Sequence, residues 1–185
     1  AKPIQEGQQE VLTHLQQRIR PFILRRLKKD VAKELPPRTE QVLWCTLDEE
    51  ERNTYEAIAA STRKEVLQAL QQGSQVLQVL EVLLRLRQAC CHRGLLPGQT
   101  AHHSSKITRL LEVLESVVAE GHKALIFSQW THLLDLVEPH LQQASISFTR
   151  LDGSTRDRAA VVQDFQHDPY ISVMLLSLKA GGTGL

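Results

Sequence analysis

The chain has 185 residues, 42% of them hydrophobic, enough for one sizeable core or two small ones, and this excludes a disordered or fibrous polypeptide. Its 22 Lys and Arg face 21 Asp and Glu for a net charge of +1, so no global polycation announces a nucleic-acid partner and any basic surface must be local. No apolar run reaches the roughly 18 residues needed to cross a bilayer, and the opening AKPIQEGQQE lacks the apolar stretch of a secretory signal. The 3 cysteines, two of them adjacent, make a poor disulfide framework. An intracellular protein without a membrane partner is expected.

Through about residue 95 the apolar period is helical. Leu12, Leu15 and Ile19 share one face of a first helix, which Pro21 interrupts. A second helix through Leu27, Val31 and Leu35 stops at Pro36 and Pro37, and Thr39 to Leu47 alternates enough for a short strand. Over residues 18–38, Arg18, Arg20, Arg25, Arg26, Lys28, Lys29, Lys33 and Arg38 face only Asp30 and Glu34. Such a run is either a solvated helix face or a phosphate-contacting surface. Asp48 is placed to cap a helix carrying Tyr55, Ile58, Val66 and Leu70 that ends near Gly73. LDEEER at residues 47–52 has the letters of an acidic magnesium box, but acidic residues at a helix start complement its dipole, and the string reads as a cap. A further helix runs through Leu77, Leu80, Leu84 and Ala89. Cys90, Cys91, His92, His102 and His103 are close in sequence without CxxC spacing, and neighbouring helix cysteines point about 100° apart, so buried helix cysteines are expected rather than a metal site. The connector HRGLLPGQTAHHSS, residues 92–105, is polar, contains Gly and Pro, and is expected to be mobile.

From Ser104 onward the pattern changes to helix, strand, helix, strand, helix, strand, the signature of a parallel sheet with crossover helices. Ser104 or Ser105 opens a helix whose stripe is Ile107, Leu110, Leu111, Leu114, Val117 and Val118, closed by Gly121. Strands are expected at Lys123 to Ser128, Ile146 to Leu151 and Ile171 to Ser177. Their nearly unbroken apolar runs predict cover on both faces. Between them lie a helix from Thr131, which Pro139 should kink or end early, and a helix from Arg156 to Gln166 with Val161, Val162 and Phe165 inward.

In open parallel sheets ligands bind beyond the carboxyl ends of the strands, where loops and helix amino termini converge. The residues following the three strands are Ser128, Gln129 and Trp130, then Asp152, Gly153, Ser154 and Thr155, then Lys179 to Gly184. Small hydroxyl and glycine residues let a backbone approach a phosphate closely, and three such loops on one edge fit a phosphate-rich partner better than chance turn chemistry does. AGGTGL at residues 180–185 is no phosphate loop, because neither GxxxxGK[ST] nor GxGxxG is present.

Five ordered blocks carry a family resemblance. RPFILRRLKKDVAKELPPRTE (20–40), LDEEERNTYEAI (47–58) with LLRLRQACCH (83–92), SSKITRLLEVLESVVAEGHKALIFSQWTHLLDLVEPHL (104–141), RLDGSTRDRAAVVQDFQ (150–166) and LLSLKAGGTGL (175–185) resemble, in order, segments of the Swi/Snf-like chromatin-remodelling and DNA-translocating ATPases of helicase superfamily two. Arg93 stands where the family often has Pro, and Leu178 where Thr or Ser is common. The resemblance implies an α/β fold: an incomplete RecA-like parallel sheet with flanking helices over residues 99–185, truncated after helicase motif five, preceded over residues 1–98 by a helical linker and insertion that follows the first ATPase lobe. It implies that ATP and Mg2+ serve the full-length enzyme in a cleft between two RecA-like lobes, that none is bound by this fragment alone, and that the fragment is inactive by itself. Partners implied are double-stranded DNA and the first RecA-like lobe, in the nucleoid or cytoplasm of a prokaryote or the nucleus of a eukaryote. On the matching positions Ser128, Gln129, Arg150, Ser154 and Thr155 would touch DNA phosphates, while Lys179, Gly181, Gly182, Thr183 and Gly184 would couple that grip to the ATP cleft. A strand-separating helicase lobe and a non-catalytic protein-interaction scaffold remain the alternatives.

Overall fold

The computed structural model describes residues 9–24, 26–34, 36–72 and 76–181, with the backbone alone for residues 28, 29, 62–72 and 76–78. Two compact units result, Ala1–Leu43 and Trp44–Leu185. In the first, helix α1 (Gln9–Ile19) runs into a 3-10 turn (Arg20–Phe22) with Pro21 near its start, where a missing N–H costs nothing. The next helical segment, α2 (Lys28–Val31), is a single turn, shorter than the apolar pattern predicts. Leu35 and Arg25 lie outside the described residues. The described cations of the basic run, Arg18, Arg20, Arg26, Lys33 and Arg38, are exposed.

The predicted strand from Thr39 to Leu47 does not form. Residues 36–48 are irregular, and Val42 and Trp44 are 75% and 88% exposed. Alternation makes a strand only where a neighbouring backbone pairs with it, and the one sheet among the described residues lies elsewhere.

The second unit begins with a helical hairpin, α3 (Glu49–Gln72) packed on α4 (Val76–Cys91). Gly73, the expected end of α3, lies outside the described residues. The connector that follows α4 is packed at its two ends, while residues 97–103 between them are exposed except for Ala101. A 3-10 turn (Arg93–Leu95) buries Leu95 and Leu96, the Nδ1 of buried His92 accepts the Gly94 N–H at 2.9 Å, and Ser104 Oγ donates to the Cys91 carbonyl at 3.1 Å.

Helix α5 (Ser105–Ala119), strand β1 (Ala124–Ser128), helix α6 (Thr131–Gln143), strand β2 (Phe148–Leu151), helix α7 (Arg158–His167) and strand β3 (Val173–Ser177) follow the expected order. Gly121, at φ +77°, ends α5 in a left-handed turn in which Gly121 and His122 donate to the Val118 and Val117 carbonyls. Helix α6 runs through Pro139 to Gln143 instead of stopping early. Pro139 lies on the exposed side, where solvent serves the carbonyl its missing N–H leaves. Asp157 caps α7, its Oδ1 accepting the Ala160 N–H at 2.9 Å.

The three strands form a parallel sheet in the order β1-β3-β2, with Ser128 opposite Ser177 and Leu151 opposite Leu176. Alternation along β3 sends Val173 and Leu175 into a core with Ile107 and Leu114 of α5 and Leu134, Val137 and Leu141 of α6. Met174 and Leu176 face the other way, against Leu151 and Val161, Val162 and Phe165 of α7. Cover on both faces therefore holds for β3 only. On β1, Leu125 and Phe127 are 50% and 47% exposed, because α7 covers the β3 and β2 side of its layer.

Candidate functional site

All three strands point the same way, so the loops after Ser128, Leu151 and Ser177 emerge on one rim of the sheet. The rim is cross-linked by its own backbone. Leu178 N–H donates to the Ser128 carbonyl at 2.9 Å, joining the β1 and β3 loops, and the Ala180 and Gly181 N–H groups both turn back to the Ser177 carbonyl. Arg158, in the first turn of α7, donates to the Ala180 carbonyl and ties the third loop to the second.

The first loop presents one exposed side chain. Gln129 is exposed, whereas Ser128 is buried with its hydroxyl turned into the turn, donating to the Trp130 carbonyl at 2.8 Å and accepting the Trp130 N–H at 3.1 Å. Trp130 occupies the N-cap of α6 without supplying a side-chain cap.

The second loop is organised by Asp152. Its carboxylate accepts the Ser154 N–H and hydroxyl at 2.8 and 2.6 Å, while its own N–H donates to Thr155 Oγ1 at 3.0 Å. Those Ser154 bonds, and then Arg150, hold the Asp152 carboxyl below its usual value against the opposing effect of burial. Ser154 is exposed and Thr155 half-buried. The amino terminus of α7 beyond them is already served by the Asp157 carboxylate, so its dipole is matched from within.

Arg150 sits on β2 among three carboxylates. Its guanidinium donates to Asp135 at 2.5 Å, Glu138 at 2.7 Å and Asp152 at 2.7 Å. Desolvation works against its charge, but these three bonds overcome it and raise its pKa. The arginine thus ties α6, β2 and the second loop together.

In the third loop Lys179 is exposed and Gly181 half-buried. A Cβ on Gly181 would lie 2.8 Å from the Phe127 ring, so a larger residue there needs that ring to move. Gly182, Thr183 and Gly184 lie outside the described residues.

Two rim cations escaped the sequence pattern. Arg156 is exposed at the end of the second loop. Arg87, on α4, donates to Gln129 Oε1 and stands with its guanidinium carbon 5.4 Å from the centre of the Trp130 ring. The LLRLRQACCH block held Arg87 in view, but no local signal places it against a residue 42 positions away.

The helical hairpin is joined to α5 by a second buried cluster. Asp48 Oδ1 accepts the Glu51 N–H at 2.7 Å and Glu51 Oε2 accepts the Asp48 N–H at 3.1 Å, a reciprocal capping box, while Glu51 Oε1 accepts the Ser105 N–H of α5 at 3.0 Å. LDEEER is therefore a cap, as its letters at a helix start imply.

Comparison with known proteins assigns this architecture. A profile described as the SNF2-related domain matches residues 1–95, and one described as the helicase conserved C-terminal domain matches residues 105–185. The chain belongs to the Swi/Snf-like family. Among curated Swi/Snf-like relatives, Protein CHROMATIN REMODELING 8 of Arabidopsis thaliana is 35% identical over 90% of this chain and 14% of its own length. A probable chromatin-remodeling complex ATPase chain of Oryza sativa subsp. japonica is 33% identical over 98% of this chain and 17% of its own length. This chain thus spans about a sixth of those proteins. The solved Sulfolobus solfataricus SWI2/SNF2 ATPase core in complex with dsDNA superposes with a TM-score of 0.67 at 27% identity, covering 96% of this chain and 39% of that one. The Swi/Snf-like sheet is RecA-like, with flanking helices, as the sequence resemblance implies. No helix among the described residues is long and apolar enough to cross a membrane.

Proposed function

We propose that this chain is the part of an ATP-driven translocase that holds duplex DNA by its sugar-phosphate backbone, and that it couples this grip to an ATP cleft completed by the other RecA-like lobe of the same polypeptide. The observation that carries the reading is the single rim: exposed Gln129, Ser154 and Lys179, with Thr155 beside them, stand on three loops bonded to one another at the carboxyl edge of a parallel sheet. The relative solved with double-stranded DNA supports the choice of ligand. Contacts to phosphates carry no base readout, which suits movement over any sequence.

Within that reading the roles of the rim residues divide. Gln129 contacts phosphate through its amide N–H groups and Thr155 through its hydroxyl proton, while Ser154, whose hydroxyl proton goes to Asp152, contacts phosphate only by releasing that bond. Ser128 and Arg150, whose polar atoms are engaged inside the protein, fix the loops that present them. Lys179 and Gly181, with Gly182, Thr183 and Gly184, form the coupling segment toward the cleft. The described residues do not by themselves fit ATP or Mg2+. No phosphate-loop sequence is present, the space beside Gly181 is filled by Phe127, and no group of three metal-binding side chains converges among the described residues. We therefore assign the nucleotide and its metal to the joint cleft, and no hydrolysis to this chain alone. The relatives' names support action on chromatin in a eukaryotic nucleus; in a prokaryote the same grip would act on nucleoid DNA.

Titration of the chain into a labelled duplex at 50 and 200 mM salt tests the grip. Only cations release counterions, so the two exposed cations on the sheet loops, Arg156 and Lys179, predict an affinity loss of roughly 12-fold between the two salts, equal for unrelated sequences. Binding unchanged by salt would contradict it.

A further inference from the structure

Arg150 and Arg87 both lie at the rim, and their charges are in opposite circumstances. Three carboxylates surround Arg150. None of the ion pairs among the described residues involves Arg87. A phosphate approaching Arg150 would compete with carboxylates already bonded to it and be repelled by them. At Arg87 it would meet an exposed guanidinium whose five donors are called on, among the described residues, by one protein acceptor, Gln129 Oε1.

Arg87 is also held in place. Its stacking over Trp130 and its bond to Gln129 restrict the side chain before any ligand arrives, so less rotamer entropy remains to be lost on binding. Beside it, between α3, α4, α5 and Trp130, opens a pocket of about 370 Å3 whose lining includes Tyr55, Leu86, Cys91 and, as a second cation without an ion-pair partner among the described residues, Lys106. An apolar wall with two unneutralised cations at a rim is chemistry for a sugar-phosphate chain, apolar on its deoxyribose faces and anionic at each link.

We propose that Arg87, supplied by the helical half, is the principal phosphate-binding cation of the rim, with Lys106 extending the track along the pocket, and that the ligand is the backbone of duplex DNA. The proposal rests on the DNA-grip reading above. It extends the contact surface from the sheet onto the helical hairpin and transfers to Arg87 the charged contact that the family resemblance implies for Arg150.

The test compares wild type with R87Q, R87K and R109Q in the full chain, following anisotropy of a labelled duplex over a salt series. Arg109 is an exposed arginine of α5 whose charge is already paired with Glu112, so R109Q makes the same change in net charge without removing an unpaired cation. For R87Q the slope of log affinity against log salt should fall by about 0.9, with about fivefold weaker binding at low salt. R87K should keep the slope, and R109Q should match wild type. In a W44F background Trp130 is the only tryptophan, and its emission should change on duplex addition in the parent and lose that response in R87Q. A wild-type slope and affinity for R87Q would overturn the proposal. So would an equal loss in R109Q, which would mean net charge alone, or a slope lost in R87K as in R87Q, which would mean a structural role. Wild type that binds no duplex at any salt would overturn the DNA-grip reading itself, and this proposal with it.

Discussion

Arg150 stabilises the unit through bonds that its removal would leave unmade. Without it, Asp135, Glu138 and the buried Asp152 face one another with no cation between them. The cluster is partly solvated, so the cost is smaller than for a fully buried pair: R150A should lose about 2 kcal/mol in urea unfolding, and R150E more, because a fourth carboxylate joins three. R150A within about 0.5 kcal/mol of wild type would remove Arg150 from the structural role. The residue type and its place at the end of β2 were legible in the sequence. Its partners were not, because Asp135 and Glu138 lie on the preceding crossover helix and nothing local reveals which of its polar residues reach β2.

The capping cluster decides how the hairpin joins the sheet. Buried Glu51 serves two helix starts, α3 and α5, with one carboxylate. Burial pushes its pKa up, yet the bonds from Ser105 and from the Asp48 and Ser105 backbone outweigh that and hold it below the ordinary 4.5. A depressed folded-state pKa means that the unfolded chain binds the extra proton first. The contribution is therefore complete above pH 4.5 and is lost as the pH falls through the lower folded value. Thermal unfolding of E51Q should show a lower Tm than wild type at pH 7, with the gap narrowing below pH 4.5. A gap constant from pH 7 to pH 3 would contradict it. Asp48 as a cap and the acidic start of α3 were readable from spacing. The second use of Glu51, on a helix 54 residues later, was not. The failures at this scale share a cause: Thr39 to Leu47 had a strand's alternation without a partner, and Pro139 had a helix breaker's chemistry on a side where water offsets it.

Across the second unit, element order and strand period forecast the parallel sheet, because crossover helices between short apolar strands leave few other arrangements. Strand order fixed which loops share a rim, and the sheet delivered the expected ones. Sequence missed how far the rim extends: the helical half reaches it through Arg87, and that contact depends on the packing of α4 against the β1 loop. It also overstated the cover on β1, whose Leu125 and Phe127 stay half-exposed.

The central claim, that one rim of the sheet receives duplex DNA, is tested most directly by amide hydrogen exchange with and without saturating duplex. Protection should rise in residues 129–131, 152–157 and 178–181 and stay unchanged at the opposite edge, residues 121–123, 144–147 and 168–172. Protection confined to that opposite edge, or absent from all three rim loops while duplex is bound, would contradict it.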